Sequence, residues 1–480
     1  MGTPAGGDRA SIADWIGVAV IVATAFLYNG WLLNARTFFF ADDWQWLYYA
    51  EFVPWGEYLA VFPVQLYNDR PVGGAFIKAL YQIFGLNHFA FQLVLLIVHA
   101  INCVLIYRIA NRYVGFAGAL LTALLSATWF STLTAVGWSA AIFDLFGATL
   151  CLSVVRLRQR AIESGNNIRY DLIGAACYLL AIRTKEFAIG LVFLLLLMNM
   201  IAERQRVRAT LQQLLPYLIV FGVYAVWYSR LVLVAPVPGI DPYALNFSIP
   251  TVVASLGFQV STAFYARDIG VTGVILVIVA LGVGLAAASA DARRIAVFGF
   301  AGFVILLGPT LLLATNSSTG YHALYLYTPH FFLALVIGAL VARAIVPTVV
   351  AIAISLLVLI TPNWVHYRQD VVGFYVSVGE RSAAQFHSAL RLLSPLPQGA
   401  TIYISGLPTF LNPFAAGPGK SLMTAFKDPT INVVVEKPDA ELLAMFCEQP
   451  GPKRFLRFAG KEGAEVTAEI QRRCVPAGEQ

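Results

Sequence analysis

The chain has 480 residues, a mean hydropathy of +0.73, 59% hydrophobic residues and 12% charged ones. A soluble globular chain carries about twice that charge, so the composition excludes that class and leaves a polytopic α-helical membrane protein. The formal charge of +6 and pI near 9.0 do not make a nucleic-acid binder, because the basic residues are spread over short loops and form no patch or stripe.

Apolar runs of about 17–25 residues are long enough to cross a bilayer. Taken in chain order they predict eleven spans, near 15–33, 89–107, 115–135, 139–155, 170–182, 187–201, 210–233, 271–290, 295–314, 323–345 and 346–362. The 170–182 run is short and reads as tilted, re-entrant or joined to its successor. The first run lacks a small-x-small site after it, so it is expected to stay as a span. Loop charge sets the orientation. A cytosolic N-terminus puts 13 of the 20 Lys and Arg before residue 363 inside. The clusters Arg156/Arg158/Arg160 and Arg204/Arg206/Arg208 decide it, each read as a short loop after an apolar run. The C-terminus then falls on the periplasmic or extracellular side of what reads as a bacterial inner (plasma) membrane.

Between the first two spans, residues 34–88 form an aromatic-rich outer loop, with Trp44–Phe52 reading as an amphipathic helix in the interface. A second outer loop, 234–270, holds Pro236, Pro238, Pro242 and Pro250, which suits a structured cover over a cavity. From Asn363 the character changes: 23 of 118 residues are charged, against 35 of 362 before. Ala400–Ser405 and Ile431–Val435 read as strands and Glu380–Leu393 as a helix. The chain thus divides into a transmembrane domain, 1–362, and a soluble extracytoplasmic α/β domain, 363–480. Cys103, Cys151 and Cys177 read as small buried hydrophobes. Cys447 and Cys474 are free to pair outside the cytosol, though a domain of this size does not require it.

The chemistry-bearing residues sit at predicted outer loops and outer span ends. Asp42 and Asp43 lie among Phe38, Phe39, Phe40, Trp44 and Trp46, and such aromatics favour the membrane–water interface. Asp144 follows at the outer end of the fourth span, then Arg183-Thr184-Lys185-Glu186, with Arg70 and Lys78 in the first loop. A Tyr-rich turn holds Tyr321, His322, Tyr325 and Tyr327. Each has a plainer reading: interfacial Arg and Lys snorkel, Asp144 caps a helix or pairs with a neighbouring cation, the histidines are packing residues and the tyrosines belong to the aromatic belt. Carboxylates for proton abstraction beside cations for an anionic group suit a hydroxyl attacking a centre whose leaving group is phosphate. The rival reading is a flippase or transporter of a lipid-linked sugar, whose ionisable residues belong deep within spans. A scaffold whose tail recruits partners is a third. There is no His/Cys metal signature, no Gly-rich phosphate loop and no Ser-His-Asp order.

The order of these motifs resembles the polytopic C-class glycosyltransferases that use a polyprenyl-phosphate sugar, the group of the protein O-mannosyltransferases. Phe40-Ala41-Asp42-Asp43, Arg70-Pro71 with Leu80–Asn87 and His99–Asn102, Val136-Gly137-Trp138 with Asp144-Leu145, and Thr184-Lys185-Glu186 carry the resemblance. It implies an inverting transfer of a hexosyl or pentosyl unit from the lipid carrier to a surface glycan, lipid or protein acceptor. One of Asp42 and Asp43 would be the general base, with Asp43 the favoured of the two, and Asp144 would be the second acidic position, helping to orient the acceptor. Lys185, Arg183, Arg70 and His322 would hold the donor phosphate, and Glu186, Trp44, Tyr321 and Tyr325 would line the substrate site. Relatives often carry Arg where this chain has His322, and a basic residue where it has Ile142-Phe143. No cofactor is required; a divalent cation, Mg²⁺ or Mn²⁺, suits the acidic pair.

Overall fold

The computed structural model describes residues 12–33, 37–59, 70–233, 247–263, 279, 281–312, 322–342, 372–407, 411–415, 417 and 419–474. The helices begin with α1 (Ile12–Asn29), α2 (Asp42–Phe52), α3 (Trp55–Leu59), α4 (Pro71–Phe84), α5 (His88–Thr128) and α6 (Phe130–Gly137). They continue with α7 (Ile142–Glu163), α8 (Ile168–Ile182), α9 (Leu191–Leu197), α10 (Val207–Gln213), α11 (Leu215–Leu233) and α12 (Ile249–Ala263). Next come α13 (Ala290–Leu311), α14 (His322–Tyr325), α15 (Tyr327–Val341) and α16 (Gly373–Leu393). The chain then alternates: β1 (Thr401–Ser405), α17 (Lys420–Phe426), β2 (Asn432–Val434), α18 (Asp439–Glu448), β3 (Lys453–Ala459), β4 (Glu462–Glu465) and α19 (Thr467–Cys474).

Among the described residues, four helical runs are long and apolar enough to cross a membrane: Ile12–Leu33, His88–Thr128, Ser139–Glu163 and Ala290–Leu311. The pair α10 and α11, bent by 70°, makes a fifth if it crosses as one, and Glu186–Ala202, Ile249–Val260 and Tyr327–Val341 are shorter apolar helices. The expected span 346–362, residues 271–278 and 280 of the expected span 271–290, and much of the 234–270 loop lie outside the described residues. The expected pair 89–107 and 115–135 meets the run α5, which is two helices joined at Gly115, where φ is 71° and the backbone leaves the helix. The Arg156/Arg158/Arg160 cluster needs correcting too. Helix α7 runs on to Glu163, so these residues lie on a helix rather than in a loop. Arg158 is fully buried and donates to both oxygens of Asp171, at 3.1 and 2.9 Å. A buried cation has to be paired, which gives this one a structural role.

The described residues fall into two compact units. One is drawn from 1–31, 94–136 and 143–368. In it α13 and α15 pack closely, because Gly299 and Gly302 present no side chain. A Cβ on Gly299 would lie 2.8 Å from the Phe332 carbonyl, and one on Gly302 would lie 2.7 Å from the Phe332 ring. Small residues of this kind let helices approach where the hydrophobic effect gives little drive. Leu125, Ala292, Ala296, Ala334, Ile337 and Leu340 form a core there.

The other unit is drawn from 32–93, 137–142 and 369–480. Its sheet has the order β2-β1-β3-β4, with β1 parallel to β2 and β3, and β3 antiparallel to β4. The central strand β1 is buried on both faces, as its unalternating Thr-Ile-Tyr-Ile-Ser sequence requires. Ile402 and Ile404 join Ala389 and Leu393 of α16 and Leu422 of α17; Tyr403 joins Phe446 of α18 and Ile470 of α19. Cys447 and Cys474 form a disulfide between α18 and α19. In the same unit α16 grips the first outer segment. Ser382 Oγ donates to the Phe39 carbonyl at 2.7 Å, and the Phe386 and Trp44 rings lie 4.7 Å apart.

Candidate functional site

Asp42 and Asp43 are the first two residues of α2, and their surroundings separate them. Asp43 is 2% exposed. Its Oδ2 accepts from the Phe40 N–H at 3.0 Å and its Oδ1 from the Ala140 N–H at 2.6 Å. Burial pushes its carboxyl well above the usual carboxylate range; the two N–H donors pull it back, and the Asp42 charge adds to the rise. Asp42 is half-buried. The partly exposed face of α2 continues through Gln45, Tyr48 and Tyr49, with Asp42, Gln45 and Tyr49 at the spacing that shares one side of a helix. Phe40 stacks on Trp138 at 5.9 Å, with Tyr375 5.8 Å away. Trp44, expected against substrate, is fully buried and packs in the core with Phe386.

A second group lies within the other unit. Asp144, in the first turn of α7, is 2% exposed, and its Oδ2 takes the Lys185 ammonium at 3.2 Å. Lys185 follows the end of α8, where the chain breaks into a tight turn over Glu186–Gly190. The Lys185 Nζ also lies 5.9 Å from the centre of the Tyr325 ring. Arg183, the residue that ends α8, is buried with its guanidinium 4.5 Å over the Trp227 ring. Glu186 opens the turn and is half-buried. Thus Asp144, Lys185 and Tyr325 come together.

Arg70 precedes α4 and is half-buried. Lys78 is a structural cation: it donates to the Ala50 carbonyl at 2.6 Å and lies near the Trp55 and Tyr58 rings. His99 meets the Tyr327 hydroxyl at 2.9 Å, and His330 Nε2 lies 3.2 Å from the Ser126 carbonyl. Both are packing residues. The side chain of His322 and all of Tyr321 lie outside the described structure. Among the described residues no three His, Cys, Asp or Glu are grouped to hold a metal ion. The sequence reading missed the Ala140 amide, which carries no side-chain signal. It also missed Gln45 and Lys420, whose only hint was the Gly-Pro-Gly-Lys run.

Residues 68–232 match the sequence family described as dolichyl-phosphate-mannose-protein mannosyltransferase. No curated protein matches the chain. Among solved structures it is similar to ArnT from Cupriavidus metallidurans bound to undecaprenyl phosphate, at 14% identity over 93% of each chain with a TM-score of 0.58. The apo form of that protein gives 14% identity, 92% of each chain and 0.52. The oligosaccharyltransferase of Archaeoglobus fulgidus tethered with an acceptor peptide gives 11%, 88% of this chain, 64% of that one and 0.47. The likeness expected from the motifs is met by a family model over residues 68–232 and, at the level of fold alone, by the ArnT structure: a largely helical protein with a small C-terminal sheet.

Proposed function

We propose that the protein is an inverting glycosyltransferase that moves a sugar from a polyprenyl-phosphate carrier to an acceptor hydroxyl at the outer face of the membrane. The observation that carries this reading is the acidic pair, one member fixed by two backbone amides and the other presented beside it at the start of α2. A general base must reach a substrate proton. Asp43 has both oxygens engaged and is buried, so it is the positioning residue, and half-buried Asp42 is the base. Asp42 takes the proton of the acceptor hydroxyl, the oxygen bonds to the anomeric carbon from the side opposite the phosphate, and the carbon–oxygen bond to phosphate breaks. The electron pair leaves with the lipid phosphate.

Stabilising that leaving charge is the role we assign to Lys185, with Arg183 and Arg70 as further cations and His322 as one only when protonated. Asp144 holds the Lys185 ammonium in place, and Tyr325 and Glu186 line the same turn. A lipid carrier explains the apolar scaffold, since a polyprenyl chain stays in the bilayer and its phosphate must be met at the interface. The family description and the undecaprenyl phosphate in the similar structure support this donor class. The orientation proposed from loop charge, with the C-terminus outside, fits a disulfide in that segment.

The test is Asp42→Asn in full-length protein reconstituted in lipid. Sugar transfer is expected to fall at least about 100-fold, the lower range for loss of a general base, while polyprenyl-phosphate binding persists. A flippase would keep moving the intact lipid-linked sugar across the bilayer in that variant. Wild-type transfer by both Asp42→Asn and the Asp42→Asn/Asp43→Asn double variant removes the enzyme reading.

A further inference from the structure

Among the contacts of the C-terminal segment with the acid-bearing helix, one lysine stands on that helix's partly exposed face. Lys420 opens α17, and its ammonium donates to the Gln45 amide oxygen on α2. The same ammonium lies 5.0 Å from the centre of the Tyr48 ring and 4.8 Å from that of Tyr49. Gln45 also bonds the Tyr49 hydroxyl, so it links ring and lysine. The approach depends on glycine. Gly417 has a φ of 50°, and a Cβ there would lie 2.5 Å from the Gln45 amide oxygen and 2.7 Å from Lys420 Cδ. The Lys420 N–H donates back to the Gly417 carbonyl at 3.0 Å, which fixes where the side chain starts.

The cation at the other end of α17 behaves differently. Lys427 is exposed and lies 4.0 Å from Glu51 of α2, an ordinary surface pair. Lys420 is half-buried, and among the described residues its partners are an amide and two ring faces rather than a carboxylate. Burial draws its pKa below the usual lysine value. A partly desolvated cation with neutral partners gains from an incoming anion. Two tyrosine rings offer flat apolar faces, the amide both donates and accepts, and Asp42 stands at the head of the same helix face. Flat rings, an amide and a cation are the groups that hold a charged sugar.

We propose that the partly exposed face of α2, from Asp42 through Gln45, Tyr48 and Tyr49, with Lys420 from the C-terminal segment, binds the acceptor as an anionic saccharide whose carboxylate or phosphate is taken by Lys420. This rests on the glycosyltransferase reading and names the acceptor class for it.

Calorimetric binding to the full-length protein in lipid nanodiscs tests it. The probes are trigalacturonic acid, maltotriose 6-phosphate, uncharged maltotriose, inorganic phosphate and, separately, undecaprenyl phosphate. Either charged trisaccharide is expected to bind at least about tenfold more tightly than maltotriose or inorganic phosphate, a gap of about 1.4 kcal/mol. Lys420→Gln removes that preference, Lys420→Arg keeps it, and Lys437→Gln leaves it unchanged. Equal preference in Lys420→Gln and wild type overturns the proposal. So does inorganic phosphate binding as tightly as the charged saccharides, which would mark a plain phosphate site. If Lys420 only clamps two parts of the unit together, Lys420→Gln lowers the unfolding temperature and loosens proteolytic protection with no change in saccharide preference, which also overturns it. Undecaprenyl phosphate binding that survives in every protein confines any failure to the acceptor proposal. Its absence in wild type counts instead against the glycosyltransferase reading.

Discussion

A carboxylate with both oxygens turned to backbone donors cannot be replaced by its amide without loss. In Asp43→Asn one of the Phe40 and Ala140 N–H groups must face an NH₂ group, and an unsatisfied buried donor costs about 1–3 kcal/mol. Thermal unfolding at mildly acidic pH is expected to show that loss. The pH dependence has a definite sign. Because burial raises the native Asp43 pKa above the unfolded value of about 3.9, the native state holds more protons than the unfolded one across that interval. Stability therefore falls as pH rises from about 4 through the native Asp43 titration. The Asn variant lacks this fall, so its deficit narrows with rising pH; a constant deficit would refute the assignment. Asp144→Asn leaves Lys185 buried without its carboxylate, which costs about 3–5 kcal/mol when a buried pair is broken. Adding Lys185→Met should recover part of it, read by a double-mutant cycle. The acidic pair was legible in the sequence because two acids among aromatics are rare. Which acid is fixed was not, since that depends on an amide 97 residues away.

At the level of elements, the eleven spans expected from apolar length meet four helical runs long enough to cross a membrane among the described residues, and the strands β1 and β2 showed through their apolar character. The strand β3 did not, because Lys453, Arg454 and Arg457 break its pattern. Tertiary pairing makes that strand: β1 flanks it on one side and β4 on the other. Breaks were read unevenly: the one at Gly115 falls where the sequence separates two spans, whereas the 70° bend between α10 and α11 lies within the single expected span 210–233. The disulfide was foreseen as optional. It joins α18 to α19 across 27 residues, and closing a loop of that size contributes about 2–4 kcal/mol. Cys447→Ser is expected to lower the unfolding temperature of the C-terminal segment and to bring unfolding under reducing agent in line with the variant's. Identical unfolding of wild type with and without reductant would show that the bond does not form.

For the whole molecule, the sequence separated an apolar scaffold from a polar C-terminal segment at residue 363. The compact units divide otherwise, since the first outer segment and residues 137–142 group with 369–480. Long-range contacts such as Ser382 with Phe39 carry no local signal. Orientation is testable directly: a reporter fused after Gln480 is expected on the periplasmic or extracellular side, and a cytosolic signal would reverse the topology. The most direct measurement follows a donor labelled in its sugar in proteoliposomes, counting free polyprenyl phosphate and labelled acceptor together. Transfer by Asp42 predicts that the two appear one for one in wild type and that both fall together by at least about 100-fold in Asp42→Asn. Intact labelled donor crossing the bilayer, with no polyprenyl phosphate released, would contradict it.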